Sequence, residues 1–267
     1  MALAHIAFGG NLPESSHVFG RAAEVLHQRF GHVVARSSIW SSDAMGADAG
    51  AEFVNAAVSL RTQSSPSELL QQLHAIEQVF GRTREVHWGP RILDLDLLLY
   101  DQLTLEDPEI SVPHPAMWYR DFVLNPLSEI AAGAVHPLLG ITVQQLCERI
   151  SRRPIRFVWH GAEDSGSHGE EHLARALWQR SERDDLDVLL PELAEQENIP
   201  TVAGLRPVVE STRQGYSQPR HASDCIIELA TTNIARPWDD RRFVERICDV
   251  VDAIDSRTQV VNSPSGW

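Results

Sequence analysis

"HWGPRILDLDLLLYD", His87 to Asp101, decides the reading of this chain. From Ile92 to Tyr100 the run is short, apolar and bounded by Gly89-Pro90 and by Asp101, which predicts a strand. Alternation along a strand puts Asp94 and Asp96 on one face and Leu93, Leu95 and Leu97 on the other. The two aspartate Cα atoms are then about 6.7 Å apart, two rises of a strand. Carboxylates at that spacing repel, and burying one without a counter-charge is costly. A positive group is expected between them.

The segments upstream supply the partners for such a strand. "LAHIAFG" reads as a strand that turns at Gly9-Gly10-Asn11. Val18, Phe19, Ala22, Val25, Leu26 and Phe30 follow a helical period from Ser15 to Phe30, with Gly31 as the stop. "HVVARSSIW" and "FVNAAVSLRT" predict two more strands. "SPSE" announces a second helix: Ser65 as N-cap, Pro66 in the first turn and Glu68 closing a capping box. Leu69, Leu70, Leu73, Ile76 and Phe80 form its apolar face, and Gly81 ends it. The order is β-α-β-β-α-β, an α+β, ferredoxin-like sheet with helices on one face. Further helices are expected around Val123 to Ile130 and Thr142 to Ile150.

Composition narrows the function classes. The chain has 267 residues and a net charge of −14, which argues against a nucleic-acid partner. All 23 basic residues are arginine, so a site that needs a cation must use Arg, His or a metal. No apolar run reaches membrane-spanning length, and "MALAHIAFGGN" has no basic region ahead of its apolar run. Cys147, Cys225 and Cys248 have neither metal nor redox spacing and read as reduced thiols. A cytoplasmic protein is expected.

The composition shifts at "HGAEDSGSHGEEH". The expected organisation is a first domain over 1–158, a linker over 159–171 and a C-terminal extension over 172–267. In the extension we read helices near His172 to Arg183, Val188 to Glu197 and Asp239 to Ile254, and a strand "CIIELAT". That content is compatible with a small α/β module. A chain ending near His160 is expected to hold the complete site.

The chemistry gathers around the aspartates. Arg82, Arg84 and Arg91 precede them, with Trp88 between, and "VPHPAMWYRDFVLNPL" adds His114 and Arg120. Four arginines and a histidine about two carboxylates suit a polyphosphate with metal as counter-charge. A structural ion network, Asp94 and Asp96 with Arg91 and Arg84, fits the same spacing. A D-x-D pair also occurs in haloacid-dehalogenase-type phosphatases and nucleotide-sugar glycosyltransferases, although Leu97-Leu98-Leu99 after the second Asp speaks against the former.

"WGPRILDLDLLLYD" closely resembles the signature of the hydroxymethyl-dihydropterin pyrophosphokinases. The resemblance covers about residues 4 to 150 and includes "IAFGGN", "FVNAAVSL", "LLQQLHAIEQVFGRTR" and "VPHPAMWYRDFVLNPLSEIA". It implies transfer of pyrophosphate from MgATP to the hydroxymethyl of a reduced pterin, with release of AMP, in folate biosynthesis. It implies that Asp94 and Asp96 bind two Mg²⁺ ions and that Arg82 and Arg91 stabilise the transferring phosphates. Glu77, Arg84, His114 and Arg120 would contact ATP. Trp88 and Phe122 would sandwich the pterin, Asn55 would read its edge, and Ser42, Met45 and Phe53 would line the rest. The core domain is expected to be monomeric. The competing reading is a non-catalytic pterin- or nucleotide-binding regulator. Gly10 stands where the family usually has Ser, no proline lies near Asp43, and Glu85 falls near a position that is basic in some members.

Overall fold

The computed structural model describes residues 1–43, 52–81, 91–151, 155–160, 186–189, 226–230, 248, 250, 252–254, 256–262 and 267. The elements of its first part are β1 (Ala2–Gly10), α1 (Ser15–Arg29), β2 (Gly31–Arg36), β3 (Ile39–Ser42), β4 (Phe53–Thr62), α2 (Pro66–Val79) and β5 (Asp94–Tyr100). β6 (Leu105–Glu106) and β7 (Ser111–Val112) pair with each other, as do β8 (Val135–His136) and β9 (Ile141–Thr142). α3 (Asp121–Ala131) and α4 (Val143–Ile150) lie where helices are expected. The remaining strands are β10 (Ile155–His160), β11 (Leu186–Leu189), β12 (Ile226–Ala230) and β13 (Gln259–Asn262).

The main sheet runs β13-β3-β4-β1-β5, with β2 on the same side of β4 as β3. Its pairings are antiparallel, the arrangement expected of the ferredoxin-like order. One face carries Ile6, Phe8, Val58, Leu60, Leu95 and Leu97, packed with Phe19 and Leu26 of α1 and Leu69 and Leu73 of α2. Each fully buried side chain of this kind contributes about 1.5–3 kcal/mol. The period-3.6 pattern of the helices and the period-2 pattern of the strands therefore meet in one core. The capping box on α2 is formed: Ser65 Oγ accepts from the Glu68 N–H, and Glu68 Oε2 accepts from the Ser65 N–H at 2.8 Å. Gly81, at φ +90°, follows that helix in a conformation a side chain would disfavour.

Two features differ from the sequence reading. The single strand expected at "HVVARSSIW" is broken into β2 and β3 by Ser37-Ser38. At the break, Ser37 Oγ accepts from the Ala57 N–H at 2.9 Å, so a side chain supplies one rung of the ladder. The helices are also not confined to one face. α3 packs on β3 and β4, and its Glu129 accepts from Trp40 Nε1, on the face opposite the α1/α2 core.

The chain divides into two compact units, Met1–Cys147 with Asp255–Trp267, and Glu148–Ile254. The expected boundary at 158 falls inside β10, and the last part of the expected extension belongs to the first unit. Within that unit β13 pairs with β3, and the Trp267 ring meets Phe8 and Phe19 edge-on at centroid distances of 5.5 and 6.0 Å. The indole N–H donates to the Ser37 carbonyl at 2.8 Å. These residues are distant in sequence from their partners, and no local pattern announces the return.

The second unit holds a parallel sheet, β11-β10-β12. β12 is the strand expected at "CIIELAT", and Asp252 to Ile254 are helical as expected. The helix expected at Val188 to Glu197 is not borne out at its start, because Leu186–Leu189 is a strand; 190–197 lie outside the described residues. A short apolar run has no period long enough to tell the two apart. The helix read near His172 to Arg183 and the linker from 161 lie outside the described residues.

Candidate active site

Trp40, Asn55, Gly9 and Asp94 are successive register partners across four strands. They form one row on the face away from α1 and α2. Asp96 lies in the parallel row with Ala7 and Ala57. The alternation that sends Leu95 and Leu97 into the core thus leaves both carboxylates, each half-buried, on the other side. Gly9 keeps the row open: a Cβ there would stand 3.8 Å from Asp94 Cβ and 3.9 Å from Asn55 Oδ1. Asn55 is buried, and its Nδ2 donates to Ser42 Oγ at 2.9 Å.

Arg91 leads into β5 and donates from Nη1 to Asp94 Oδ2 at 2.6 Å. Asn11 fixes that entry from both sides. Its Oδ1 accepts from the Arg91 N–H at 2.8 Å, and its own N–H donates to the Arg91 carbonyl at 3.0 Å. The sequence reading used Asn11 only as a turn residue. Asp96 has no hydrogen bond or ion pair among the described residues. The structural ion network considered above is therefore formed at Asp94 but not, within those residues, at Asp96.

A bulge places His114. Between His5 and Ile6 the β1–β5 register skips Leu98, whose carbonyl accepts from the His114 N–H at 2.9 Å. Nδ1 of His114 accepts from the Ala116 N–H at 3.2 Å, so the neutral ring carries its proton on Nε2. Burial pushes this imidazole below its ordinary range; Asp96 pulls it up, Arg120 pushes it down and Asp94 pulls it up again, for a net lowering. Arg120 sits over the Phe122 ring at 5.7 Å, and its buried Nε has no hydrogen-bond partner among the described residues. A buried guanidinium donor left open is suited to an anion. Arg91 similarly lies over Phe53, at 5.8 Å. Each of two candidate pterin-lining rings therefore carries a candidate phosphate-binding arginine.

Glu77 is 2% exposed, and its Oε1 accepts from the Leu95 N–H at 2.8 Å, so it anchors the start of β5. Arg82, Arg84, Trp88 and Met45 lie outside the described residues, as does Glu85. Among the described residues no three His, Cys, Asp or Glu side chains converge as a metal cage. Asp94 and Asp96 nevertheless fit Mg²⁺: they offer hard oxygen donors, Asp96 has no cation of its own there, and this ion takes few protein ligands beside water and phosphate.

Gly10 has a steric reason. A Cβ at this position would lie 2.5 Å from Ser15 Oγ and 2.7 Å from the Ile92 carbonyl oxygen. Ser15, fully buried, occupies the space a residue-10 side chain would need. Glu129 was also missed by the sequence reading. It accepts from the Ser38 N–H at 2.6 Å and from Trp40 Nε1 at 2.8 Å, joining α3 to the sheet.

The model of the family described as 7,8-dihydro-6-hydroxymethylpterin-pyrophosphokinase (HPPK) matches residues 5–132. A 2-amino-4-hydroxy-6-hydroxymethyldihydropteridine pyrophosphokinase from Synechocystis is 43% identical over 169 residues, 63% of this chain and 86% of that protein. The protein of that name from Bacillus subtilis is 43% identical over 129 residues, 48% of this chain and 77% of its own length. The one from Porphyromonas gingivalis is 35% identical over 141 residues, 51% of this chain and 95% of its own.

Proposed function

Because this chain belongs to the 7,8-dihydro-6-hydroxymethylpterin-pyrophosphokinase family, we propose that its reaction takes place on the face of β5 that Asp94 and Asp96 share. The enzyme transfers pyrophosphate from ATP to the hydroxymethyl group of 6-hydroxymethyl-7,8-dihydropterin in folate biosynthesis. The pterin oxygen forms a bond to the β-phosphorus, the bond from that phosphorus to the bridging oxygen of the α-phosphate breaks, and AMP leaves. The hydroxyl proton goes to solvent.

The observation that carries the reading is the row Asn55–Gly9–Asp94, which sets a pterin-reading amide in line with a metal-binding carboxylate. An amide suits the heterocycle's edge because it both donates and accepts. Ser42, Phe53 and Phe122 would line the same pocket, together with Met45 and Trp88. Asp94 and Asp96 would hold two Mg²⁺ ions, which when bound neutralise the polyphosphate and orient it. Arg91 orients Asp94 and, with Arg82, meets the charge that spreads over the phosphates in transfer. His114 donates from Nε2 to a phosphate oxygen, beside Arg120, Arg84 and Glu77 on the ATP side. No strong base is needed: positioning and charge carry most of phosphoryl transfer.

The setting is cytoplasmic, the catalytic unit acts as a monomer, and no nucleic acid is bound. The net charge of −14 supports the last point, and among the described residues no helix is long and apolar enough to cross a membrane. Calorimetry on Asn55→Ala tests the division of roles. Pterin binding falls about tenfold with ATP binding unchanged, the loss of about one directed hydrogen bond in a buried site. Equal losses for both ligands overturn the division, and AMP release by Asp94→Ala at the unaltered rate overturns the site.

A further inference from the structure

Ser256 joins two elements that the sequence keeps far apart. It is 2% exposed. Its backbone N–H donates to Asp121 Oδ2 at 3.1 Å, and its hydroxyl donates to Asp121 Oδ1. Its carbonyl accepts from the Asp43 N–H at 2.8 Å. Asp43 directly follows Ser42, the last residue of β3, and Asp121 is the first residue of α3, next to Phe122. Ser42 and Phe122 are two of the residues assigned above to the pterin. One serine thus holds the chain neighbours of both.

The residues that follow continue the tie. Asn125 of α3 donates from Nδ2 to Thr258 Oγ1, and β13 pairs with β3. Arg257 reaches Asp43 Oδ2 at 3.6 Å, but both are largely exposed and this pair adds little. The bonds to the Asp121 carboxylate are charge-assisted, which strengthens them relative to neutral ones, and they are directional. Two bonds to one carboxylate and a third to the Asp43 backbone fix Ser256 against both elements. Asp94, Asp96 and Arg91 lie at the other end of the sheet order from β13.

We propose that Ser256 is a positioning residue for the pterin pocket: by holding Asp43 and Asp121 together it sets the separation of Ser42 and Phe122, and with it the affinity for the pterin. The proposal rests on the pocket assigned above. Its logic is that of preorganised binding: walls held in place before the ligand arrives need not be ordered when it binds.

The test is steady-state kinetics of the full chain with ATP and 6-hydroxymethyl-7,8-dihydropterin, on Ser256→Ala, Trp267→Ala and Phe122→Ala. The expected result for Ser256→Ala is a KM for the pterin raised about tenfold, a KM for ATP changed less than threefold and a kcat changed little. Trp267→Ala, in the same segment but packed on Phe8 and Phe19, lowers stability and leaves both KM values in place. Should Ser256→Ala fold poorly, Asp121→Asn weakens the same tie and is read the same way. Equal rises in both KM values, or a pterin KM no higher than that of Trp267→Ala, overturn the proposal. Phe122→Ala separates this failure from failure of the pocket. If it raises the pterin KM and Ser256→Ala does not, the pocket stands and the tie falls; if neither does, both fall.

Discussion

β5 and β13 stand at opposite ends of the same sheet order, and they differ in nearly every respect. β5 is seven residues of mostly buried leucine with two carboxylates on one face, and it is where we place the chemistry. β13 is four residues long, its Val260 and Val261 are 53% exposed, and we place none there. β5 follows α2 within a continuous run of chain, whereas β13 arrives after the whole of the second unit. One end of the sheet is specified by local pattern and holds the residues proposed to react. The other is specified by contacts distant in sequence and is proposed to serve stability and alignment.

The largest test of that contrast is at β5. Asp96→Asn is expected to cut kcat about 10³-fold, about 4 kcal/mol of transition-state stabilisation, with the melting temperature nearly unchanged. AMP release against time on the purified variant measures it. A variant that instead unfolds and turns over normally while folded makes β5 a structural edge too.

Next comes the other end. Trp267 is half-buried against Phe8 and Phe19, so Trp267→Ala should destabilise the first unit by about 2–3 kcal/mol. Urea unfolding followed by circular dichroism measures the loss. A chain ending near His160 lacks β13 and Trp267 altogether, and is expected to be less stable than the full chain.

Between the ends lies β1, whose His5 is held at a pKa of about 4 by burial, against an opposing pull from Asp101. The unfolded chain titrates this group near its ordinary 6.5. As pH falls from 6.5 towards 4, the unfolded state takes up a proton that the folded state refuses, so stability is full above 6.5 and declines below it. The loss per such histidine is about 2 kcal/mol at pH 5. His136, also at about 4 through burial, adds a second contribution of the same sign. His5→Asn, which can keep the bond to Ser59 but does not titrate, should flatten the slope of unfolding free energy between pH 7.5 and 5. The smallest effect belongs to a local device: Ser65→Ala removes the α2 cap and should cost about 1 kcal/mol in the same urea assay, with no change in KM.

How much was legible follows the same division. α1, α2 and β5 were read because each buries one face, and burial imposes a period that the residues must show. The placement of Asp94 and Asp96 followed from alternation alone. The break at Ser37-Ser38 was not legible, because a hydroxyl that replaces a backbone rung matters only once β4 is beside it. Asn11 stood in a recognised turn, but its grip on Arg91 spans 80 residues. Ser256 was read as part of an appendage, since nothing near it in sequence hints at Asp121, 135 residues away. The reason for Gly10 also needed the structure: only there do Ser15 and the Ile92 carbonyl fill its space.

The discontinuity of the first unit has a consequence during synthesis. β13 leaves the ribosome about 160 residues after β5, which at about 5–20 residues per second is a delay on the order of 10 s. Throughout that interval β3 has no β13 beside it, and an open strand edge is a template for pairing with another nascent chain. Translation speed across the second unit then sets how long that edge of β3 stays open.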